Sequence, residues 1–360
     1  MRICYFADGE SVHTVRWCRH FASLGHEVHL ISFKKTSIQN VTTHFIDAGN
    51  IEVKGGNWKV LLKFREVKSL LKKIKPDIFH SHYATSYGIT GALCSYHPYV
   101  ITALGSDVLI SPQESFLYRL LLKYTFSKAD WITAMADHMR KKMLQLGADT
   151  SKTDTIIFGI DTSIFNLNGR NLPTDRFIIT STRNLEPVYN IPHLIEAVAK
   201  IKEQIPGLVL NLIGTGTLQS DLDILIKRKS LSNIVKFFGK VPQNELATTL
   251  KKSHLFISVS LSDGNNISLN EAMACGALCI ATDIPANQQW IKDGENGFLI
   301  PVNNILELAD KILTAYKHYN ELSAKFIPLN EMIISEKADW NKNMKRVEGK
   351  YIELLKTKVY

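Results

Sequence analysis

Long apolar runs are missing from this sequence of 360 residues. None reaches the roughly 18 consecutive apolar residues that a membrane-spanning helix needs, which excludes a transmembrane protein. The N-terminal apolar run, residues 3–7, ends in a polar turn at Asp8 and Gly9 and is too short for the core of a signal peptide. We therefore expect a cytoplasmic protein.

Cysteine is also scarce. The five cysteines are odd in number, form no Cys-x-x-Cys pair and stand among apolar residues. Disulfide frameworks and structural zinc sites have the opposite pattern. Buried, reduced thiols are expected.

Acidic residues are in deficit, with 34 Asp and Glu against 43 Lys and Arg and a formal charge of +9. Residues 1–165 hold 20 basic and 14 acidic residues, so most of the surplus lies in the first half. Three partners explain such a surplus, namely nucleic acid, an anionic membrane surface or a phosphorylated substrate. No aromatic-basic recognition motif accompanies the lysines, so no nucleic-acid partner is expected.

Segment 57–75 carries seven basic residues and one acidic residue, with apolar residues at helical spacing. Its apolar face would pack inward, and its lysines would face either anionic lipid headgroups at the inner face of the membrane or solvent. Segment 116–131 is either a further apolar contact or part of the core. The sequence leaves both alternatives open.

Short apolar runs alternate with helical patterns, and the series starts again near residue 177. Such alternation indicates βαβ units and parallel sheets. We predict an α/β protein with two Rossmann-like, doubly wound domains facing each other across a cleft, an N-terminal domain over 1–165 and a C-terminal domain over 166–338. Residues 339–360 are expected to form a final helix that is free to pack back on the N-terminal domain.

The segment 260–276 is the most informative, because a polar loop there follows a strand and leads into a helix near Ser268. Free N–H groups and the positive dipole end of that helix suit a diphosphate. Asp263 in the loop and Glu271 in the helix would bind hydroxyl groups on either side of the diphosphate. The alternative is an N-capped helix with a solvated glutamate.

This loop-helix pattern resembles the signature of retaining glycosyltransferases of family 4, which have the GT-B fold. The resemblance extends to the first loop and helix at residues 8–17, to Lys240-Val241-Pro242 and to the turn at 293–299. It implies a metal-independent retaining hexosyltransferase without a cofactor, with a nucleotide-diphosphate sugar donor, UDP-sugar being favoured. The implied acceptor is a hydroxyl of a glycan or lipid-linked molecule in the synthesis of cell-surface polysaccharide or glycoconjugate.

Carried over residue by residue, the resemblance assigns the donor site to Gly9, Arg183, Val241, Asp263, Asn265, Asn266, Ile267, Ser268, Leu269 and Glu271. Glu271 is expected to bind the ribose, and Asp263, which stands where glutamate is usual, the donor sugar. The N–H groups of 267–269 would cradle the diphosphate, Asn265 and Asn266 would contact the sugar, and Val241 would contact the base. Gly9 would let the backbone approach the donor closely.

Arg183 matches the arginine that neutralises the departing phosphates, and its fixed charge suits that role. The lysine usual six residues later is replaced by Tyr189, which would supply a neutral O–H donor. Leu104 stands where a histidine is common, so Asp107 in the same loop is the candidate for contacting or deprotonating the acceptor. The predicted catalytic residues are thus Asp107, Arg183 and Asp263. Asp107 could instead cap the following turn.

Other polar patterns favour structural roles. His80 and His82 alternate beyond a strand, but no third ligand has useful spacing, so cleft-lining or structural histidines are expected. Asp221 and Asp223 lie two apart on a predicted helix and therefore diverge by about 200°. We predict no catalytic metal. The departures at Leu104 and Tyr189 keep a second function open, a noncatalytic nucleotide-sugar-binding subunit, and a nucleic-acid-binding protein is third.

Overall fold

The computed structural model describes residues 1–49 and 58–357. The chain divides into two compact units, one formed by residues 1–157 and 345–360 and the other by residues 158–344. The chain passes between them at 157/158 and again at 344/345, inside the last helix. Each unit is an α/β sheet structure with its own core.

The first unit contains seven strands: β1 Arg2–Phe6, β2 Glu27–Ser32, β3 Thr42–Phe45, β4 Ile78–His82, β5 Tyr99–Ala103, β6 Trp131–Ala134 and β7 Thr153–Thr155. Its helices before the chain leaves are α1 Val12–Ser23, α2 Phe64–Ile74, α3 Ser86–Leu93, α4 Ser106–Leu109, α5 Ser111–Glu114, α6 Phe116–Lys128 and α7 Asp137–Gln145. The strands are all parallel in the order β3-β2-β1-β4-β5-β6-β7. Because the order reverses between β1 and β4, the switch point of this sheet lies there.

The central strands of this sheet are buried on both faces. Every residue of β4 and β5 is buried, as expected for parallel strands that helices cover on both sides. One of these faces is covered in part by the last helix, α15 Trp340–Thr357. Tyr351 of this helix is fully buried, and its hydroxyl lies 2.5 Å from Nδ1 of His80. Oε1 of Glu348, also in α15, lies 2.8 Å from Nε2 of His26.

The second unit has six parallel strands: β8 Phe177–Ser181, β9 Leu208–Ile213, β10 Val235–Gly239, β11 Leu255–Ser258, β12 Leu278–Thr282 and β13 Phe298–Ile300. Its helices are α8 Ile191–Ile201, α9 Gln219–Arg228, α10 Gln243–Lys251, α11 Ile267–Ala274, α12 Pro285–Gln288, α13 Ile305–Lys317 and α14 Tyr319–Lys337. The strand order is β10-β9-β8-β11-β12-β13, so the switch point lies between β8 and β11. α8 shows why these helices dock, since Ile191, Leu194, Ile195 and Val198 repeat at helical spacing and are all buried.

Some elements differ from the sequence prediction. The predicted helix 57–75 is a 3₁₀ turn, Trp58–Lys63, followed by α2, and Asn57 lies outside the described residues. The edge strands β3 and β7 and the 19-residue helix α14, which contains Pro328, were not predicted. β3 has a polar sequence with no buried residue, so its pairing with β2 depends on the neighbouring strand rather than on its own apolar pattern.

The five cysteines are all buried and unpaired. Within residues 1–49 and 58–357, no helix combines the length and the apolar character that crossing a bilayer requires.

Candidate functional site

The predicted donor residues of the second unit converge at the switch point of its sheet. Arg183 stands two residues beyond the end of β8, and the loop 259–266 follows the end of β11. β8 and β11 are neighbours and parallel, so both loops leave the same edge of the sheet. This is the edge at which open α/β sheets bind ligands.

Arg183 lies at the centre of this site. Its side chain is only 8% exposed, and its Nη2 donates to Oδ2 of Asp263 over 2.6 Å. Its Nη1 donates to Oδ1 of Asn266 over 3.0 Å and approaches Oγ of Ser268 at 3.5 Å. The guanidinium is therefore held against the start of α11, where it can face an anion bound at that helix end.

Tyr189 supports the same arginine with its ring. The Arg183 guanidinium carbon lies 4.2 Å from the centroid of the Tyr189 ring, which is cation–π geometry. The sequence prediction was a hydroxyl donor in place of a lysine. The structure instead presents the aromatic face, so this position holds the existing cation and adds no second one.

The start of α11 is capped by Asn266. Its Oδ1 accepts from the N–H of Leu269 over 3.1 Å, and the N–H of Ile267 donates to the carbonyl of Asn265 over 3.0 Å. Within residues 1–49 and 58–357, the N–H of Ser268 has no hydrogen-bond acceptor. Of the three amides expected to cradle a diphosphate, two are therefore engaged inside the loop and that of Ser268 is available.

The burial of Asn266 does not agree with the expected sugar contact. Its side chain is fully buried, and its Nδ2 donates to Oγ of Ser258 over 3.0 Å and to Oδ1 of Asn287 over 2.9 Å. Since its oxygen serves both Leu269 and Arg183, every polar atom of the side chain is occupied. Asn266 organises the loop from beneath. Sequence reasoning missed Asn287, for which the only local signal was its place shortly after β12.

Asn265 lies in the same loop and is 5% exposed. Its Oδ1 accepts from Nε1 of Trp290 over 2.9 Å and from Nε2 of Gln289 over 3.1 Å. Its Nδ2 is buried with no hydrogen-bond partner among the described residues. A buried amide without a partner is costly, so this donor is suited to an acceptor that arrives with a ligand.

Helix α11 has a buried inner face and a half-buried outer face. Leu269, Asn270, Ala272 and Met273 are buried, whereas Ile267, Ser268 and Glu271 are half-buried. Ser268 and Glu271 are three residues apart and therefore lie on the same face. The structure thus places Glu271 one turn beyond the Ser268 hydroxyl that Arg183 approaches.

Val241 and two glycines complete this edge of the sheet. Val241 is half-buried in the loop between β10 and α10. A Cβ on Gly214 would lie 2.8 Å from the carbonyl oxygen of Arg183, and one on Gly216 would lie 2.3 Å from that of Leu185. These glycines allow the turn after β9 to pack directly on the Arg183 loop, which is a role in the chain's own packing.

The first unit places Asp107 beyond the end of β5. Its carboxylate is fully buried and accepts from the N–H groups of Ala84 over 2.6 Å, Gly105 over 2.8 Å and Leu104 over 3.2 Å. Burial raises the pKa of this carboxyl, and the backbone hydrogen bonds offset part of that effect. This geometry differs from that of an exposed base, because the carboxylate already serves to join the loops after β4 and β5.

Gly9 lies beyond β1, at the switch point of the first sheet. A Cβ there would stand 2.4 Å from Cγ2 of Thr36, and the Gly9 N–H donates to Oγ of Ser32 over 2.9 Å. The close approach that requires glycine is therefore made to the chain itself.

His80 and His82 lie inside β4, not beyond its end as the sequence predicted, and both side chains are buried. Nε2 of His80 lies 2.7 Å from the hydroxyl of Thr102, while neither ring nitrogen of His82 has a hydrogen-bond partner in the described part of the chain. Burial, with a smaller effect of His13, lowers the pKa of His82 to about 3. Within residues 1–49 and 58–357 no three His, Cys, Asp or Glu side chains are grouped as metal ligands.

Two family profiles match the chain. The profile described as "Glycosyl transferase 4-like" matches residues 2–136, and that described as "Glycosyl transferases group 1" matches residues 164–330. The second match contains Arg183, the loop 259–266 and α11.

Three relatives of known sequence are similar to this chain at 24–28% identity. An uncharacterized glycosyltransferase of Methanocaldococcus jannaschii is 26% identical over 91% of this chain and 90% of its own. The N-acetyl-alpha-D-glucosaminyl L-malate synthase of Bacillus anthracis is 24% identical over 87% of this chain and 86% of its own. The UDP-Gal:alpha-D-GlcNAc-diphosphoundecaprenol alpha-1,3-galactosyltransferase of Escherichia coli is 28% identical over 66% and 65%.

Solved structures share the fold. The sucrose-phosphate synthase of Thermosynechococcus elongatus has a TM-score of 0.83 at 19% identity, covering 99% of this chain and 100% of its own. HepE of Anabaena, solved in complex with UDP, has a TM-score of 0.79 at 16% identity, covering 98% and 100%. At these identities the likeness shows the fold, which is GT-B. With both of its halves matched by glycosyltransferase profiles, the chain belongs to the glycosyltransferase 4-like, group 1 family of GT-B glycosyltransferases.

Proposed function

We propose that this protein transfers a sugar from a nucleotide-diphosphate sugar to a hydroxyl group of a glycan or lipid-linked acceptor, with retention at the anomeric carbon. The observation that carries the proposal is that the Arg183 guanidinium contacts Asn266 and Ser268 at the start of α11, at the switch point of the second sheet. A UDP-sugar is the favoured donor. HepE of Anabaena, which shares the fold, was solved with UDP, and that supports the preference.

In this proposal the diphosphate binds between Arg183 and the start of α11. The guanidinium, the N–H of Ser268 and the helix dipole would offset the negative charge that builds on the leaving diphosphate. This positive charge comes from the chain itself, so the proposed reaction uses no metal and no cofactor. Tyr189 would keep the guanidinium oriented during the reaction.

The hydroxyl groups of the donor would bind the two carboxylates. We assign Asp263 to the transferred sugar and Glu271 to the ribose, because Glu271 shares the half-buried face of α11 with Ser268. Asn265 would contact the donor through its unpartnered Nδ2, and Val241 would contact the base. Asn266 would act indirectly, by holding Arg183 and the helix start.

The proposed chemistry is a same-face substitution. The bond between the anomeric carbon and the leaving phosphate oxygen breaks, and the acceptor oxygen bonds to the same face of that carbon. The acceptor proton passes to the departing phosphate oxygen, so the step needs no protein base. Asp107, whose carboxylate is occupied by backbone N–H groups, would organise the loop near the acceptor.

The acceptor is proposed to be a glycan or lipid-linked hydroxyl in the synthesis of cell-surface polysaccharide or glycoconjugate. The Escherichia coli relative, whose name gives a diphosphoundecaprenol acceptor, supports the lipid-linked alternative. We propose a cytoplasmic location with peripheral contact at the inner face of the cell membrane.

The decisive experiment is a thermal-shift panel of nucleotide sugars, followed by hydrolysis and transfer assays with the donor that stabilises the protein. A rise in melting temperature that grows with concentration is expected for one donor. Glu271→Ala should lower donor affinity or turnover at least tenfold, while the control Glu331→Ala, at an exposed position of α14, should not.

Each outcome has a distinct meaning. Stabilisation together with transfer supports the proposal. Stabilisation without hydrolysis or transfer to any glycan or lipid-linked acceptor would indicate a noncatalytic binding subunit. No response to any nucleotide sugar would overturn the site assignment.

A further inference from the structure

The outer face of α6 carries an unusual row of apolar side chains. Phe116, Leu117, Leu120 and Tyr124 are 72%, 60%, 50% and 37% exposed. The opposite face of the helix is buried through Leu122, Thr125 and Phe126. The sequence left open whether this segment belongs to the core; the structure shows that only its inner face does. Clustered exposed apolar side chains mark an interaction surface, whereas single ones do not.

The charges on this helix have one sign. Arg119, Lys123 and Lys128 are exposed between the apolar residues, and α6 contains no Asp or Glu. Nζ of Lys128 lies 5.5 Å from the centroid of the Tyr124 ring, so cationic and apolar groups are interleaved. Such a face suits a partner that is apolar inside and anionic at its surface.

A second basic face flanks the first. The buried helix α3 packs against α6 on one side and against α2 and the turn Trp58–Lys63 on the other, so these elements share one layer on the sheet. α2 exposes Arg65, Lys72 and Lys73, and its Glu66 is paired with Lys63 at 2.8 Å. The preceding turn adds Leu62, which is 66% exposed.

We propose that the outer faces of α6 and α2 form a docking surface for an anionic lipid bilayer. The apolar row of α6 would enter the boundary between headgroups and acyl chains, and the Lys and Arg side chains would lie at the headgroup phosphates. A second copy of the chain fits poorly, because a symmetric dimer would set two faces of the same charge against each other. The inference assigns a surface to the peripheral membrane contact proposed above and rests on that part of the proposed function, but it does not depend on the transfer reaction.

Vesicle flotation of the full chain tests this surface. The protein should float with vesicles of equimolar phosphatidylcholine and phosphatidylglycerol, stay behind with phosphatidylcholine alone, and detach as salt is raised. The double variant Leu117→Ser/Leu120→Ser should reduce the floated fraction at least tenfold, and Lys72→Gln/Lys73→Gln should weaken binding and flatten its salt dependence.

The matched control is Ile224→Ser/Leu306→Ser, which removes two side chains that are 66% and 64% exposed on α9 and α13 of the second unit. It should float like the unaltered chain. Unchanged melting temperatures and unchanged nucleotide-sugar stabilisation would show that all variants are folded, whatever the outcome of the transfer assay.

Three flotation results would overturn the inference. These are equal flotation with neutral and anionic vesicles, no flotation with either, and equal losses in the α6 variant and its control. A dimer in light scattering that the α6 variant abolishes would assign this surface to self-association instead.

Discussion

Arg183 and Asp263, which are 80 residues apart in the chain, form an ion pair of 2.6 Å at the switch point of the second sheet. Both side chains are largely buried, with exposed fractions of 8% and 15%. The carboxylate therefore occupies one edge of the guanidinium that the proposed diphosphate would use. Binding of the donor has to redistribute this pair, so Asp263 should affect nucleotide binding and sugar transfer in opposite directions.

Asp263→Asn tests that opposition. Removing the negative charge should raise the affinity for UDP severalfold, because Arg183 no longer shares its charge with a carboxylate. Transfer should fall at least tenfold, because the sugar hydroxyl loses its acceptor. Calorimetry with UDP and a transfer assay give the two values, and Asp221→Asn on the exposed face of α9 is the control. A variant that binds UDP more weakly would contradict the proposed competition.

Arg183→Ala should lower donor affinity or turnover at least tenfold, since it removes the fixed cation at the leaving diphosphate. Arg176→Ala provides a matched control, because Arg176 pairs with Asp175 at an exposed position before β8. Steady-state kinetics with the stabilising nucleotide sugar compare the two. Near-normal kinetics in both Arg183→Ala and Glu271→Ala would show that the nucleotide sugar does not bind at the start of α11.

Tyr189 should act through its ring alone. Tyr189→Phe keeps the aromatic face and should stay within about twofold of the unaltered protein, whereas Tyr189→Leu should lose about tenfold in kcat/KM, the value of a partly desolvated cation–π contact. Similar losses in both variants would instead assign the function to the hydroxyl. Tyr189→Leu should also weaken UDP binding, because Arg183 loses one of the groups that hold it at the proposed diphosphate site.

Asn266→Ala should cost about 1–2 kcal/mol of stability, the usual price of an N-cap, and should also weaken UDP binding because Arg183 loses its anchor. Asn304→Ala is the matched control. Asn304 also caps a helix: its Oδ1 accepts from the N–H of Glu307 over 3.1 Å, and its Nδ2 donates to the Glu307 carboxylate over 2.9 Å, so both hydrogen bonds stay within the first turn of α13. Thermal unfolding should therefore respond to both variants and UDP titration to Asn266→Ala alone.

His82 should make the first unit sensitive to acid. Its pKa of about 3 in the folded chain lies below the unfolded value near 6.5, so the unfolded chain binds more protons between these values. Its stabilising contribution is complete above pH 6.5 and is lost as pH falls toward 3, at a limiting slope of about 1.4 kcal/mol per pH unit. His80 contributes in the same direction, because burial lowers its pKa as well.

The titratable neighbours of His82 that can change this slope are His13 and His80. The rest of its surroundings include the rings of Tyr5 and Trp17, whose centroids lie 5.4 and 5.1 Å from that of His82. His82→Phe keeps the ring volume and should flatten the acid side of the stability curve, measured by urea unfolding at several pH values. His318→Gln, at an exposed position, should leave the curve unchanged. A curve that is equally steep with phenylalanine at position 82 would locate the acid sensitivity elsewhere.

The sequence predicted the two sheets and the polar loop that leads into α11 because these depend on local patterns. The apolar run of β5 is typical of a strand in a parallel sheet, and the polar loop leading into α11 is visible from its residue types. The length of β4 was predicted wrongly, because its second half is His80-Ser81-His82, polar residues that only the helices packed on both faces of the sheet bury. The short polar strand β3 could not be predicted, since its pairing with β2 is supplied by the neighbouring strand.

The sequence by itself determined the α/β alternation, the loop and helix at 260–276 and the position of Arg183 just beyond the end of β8. All three are set by residues close together in the chain. Only the tertiary structure decided that Asn266 is buried beneath the site, that Tyr189 presents its ring, that Asp107 is taken up by backbone N–H groups and that α6 turns four apolar side chains outward. Each of these depends on which neighbour covers a given face. That neighbour is often tens of residues away, where local pattern carries no information.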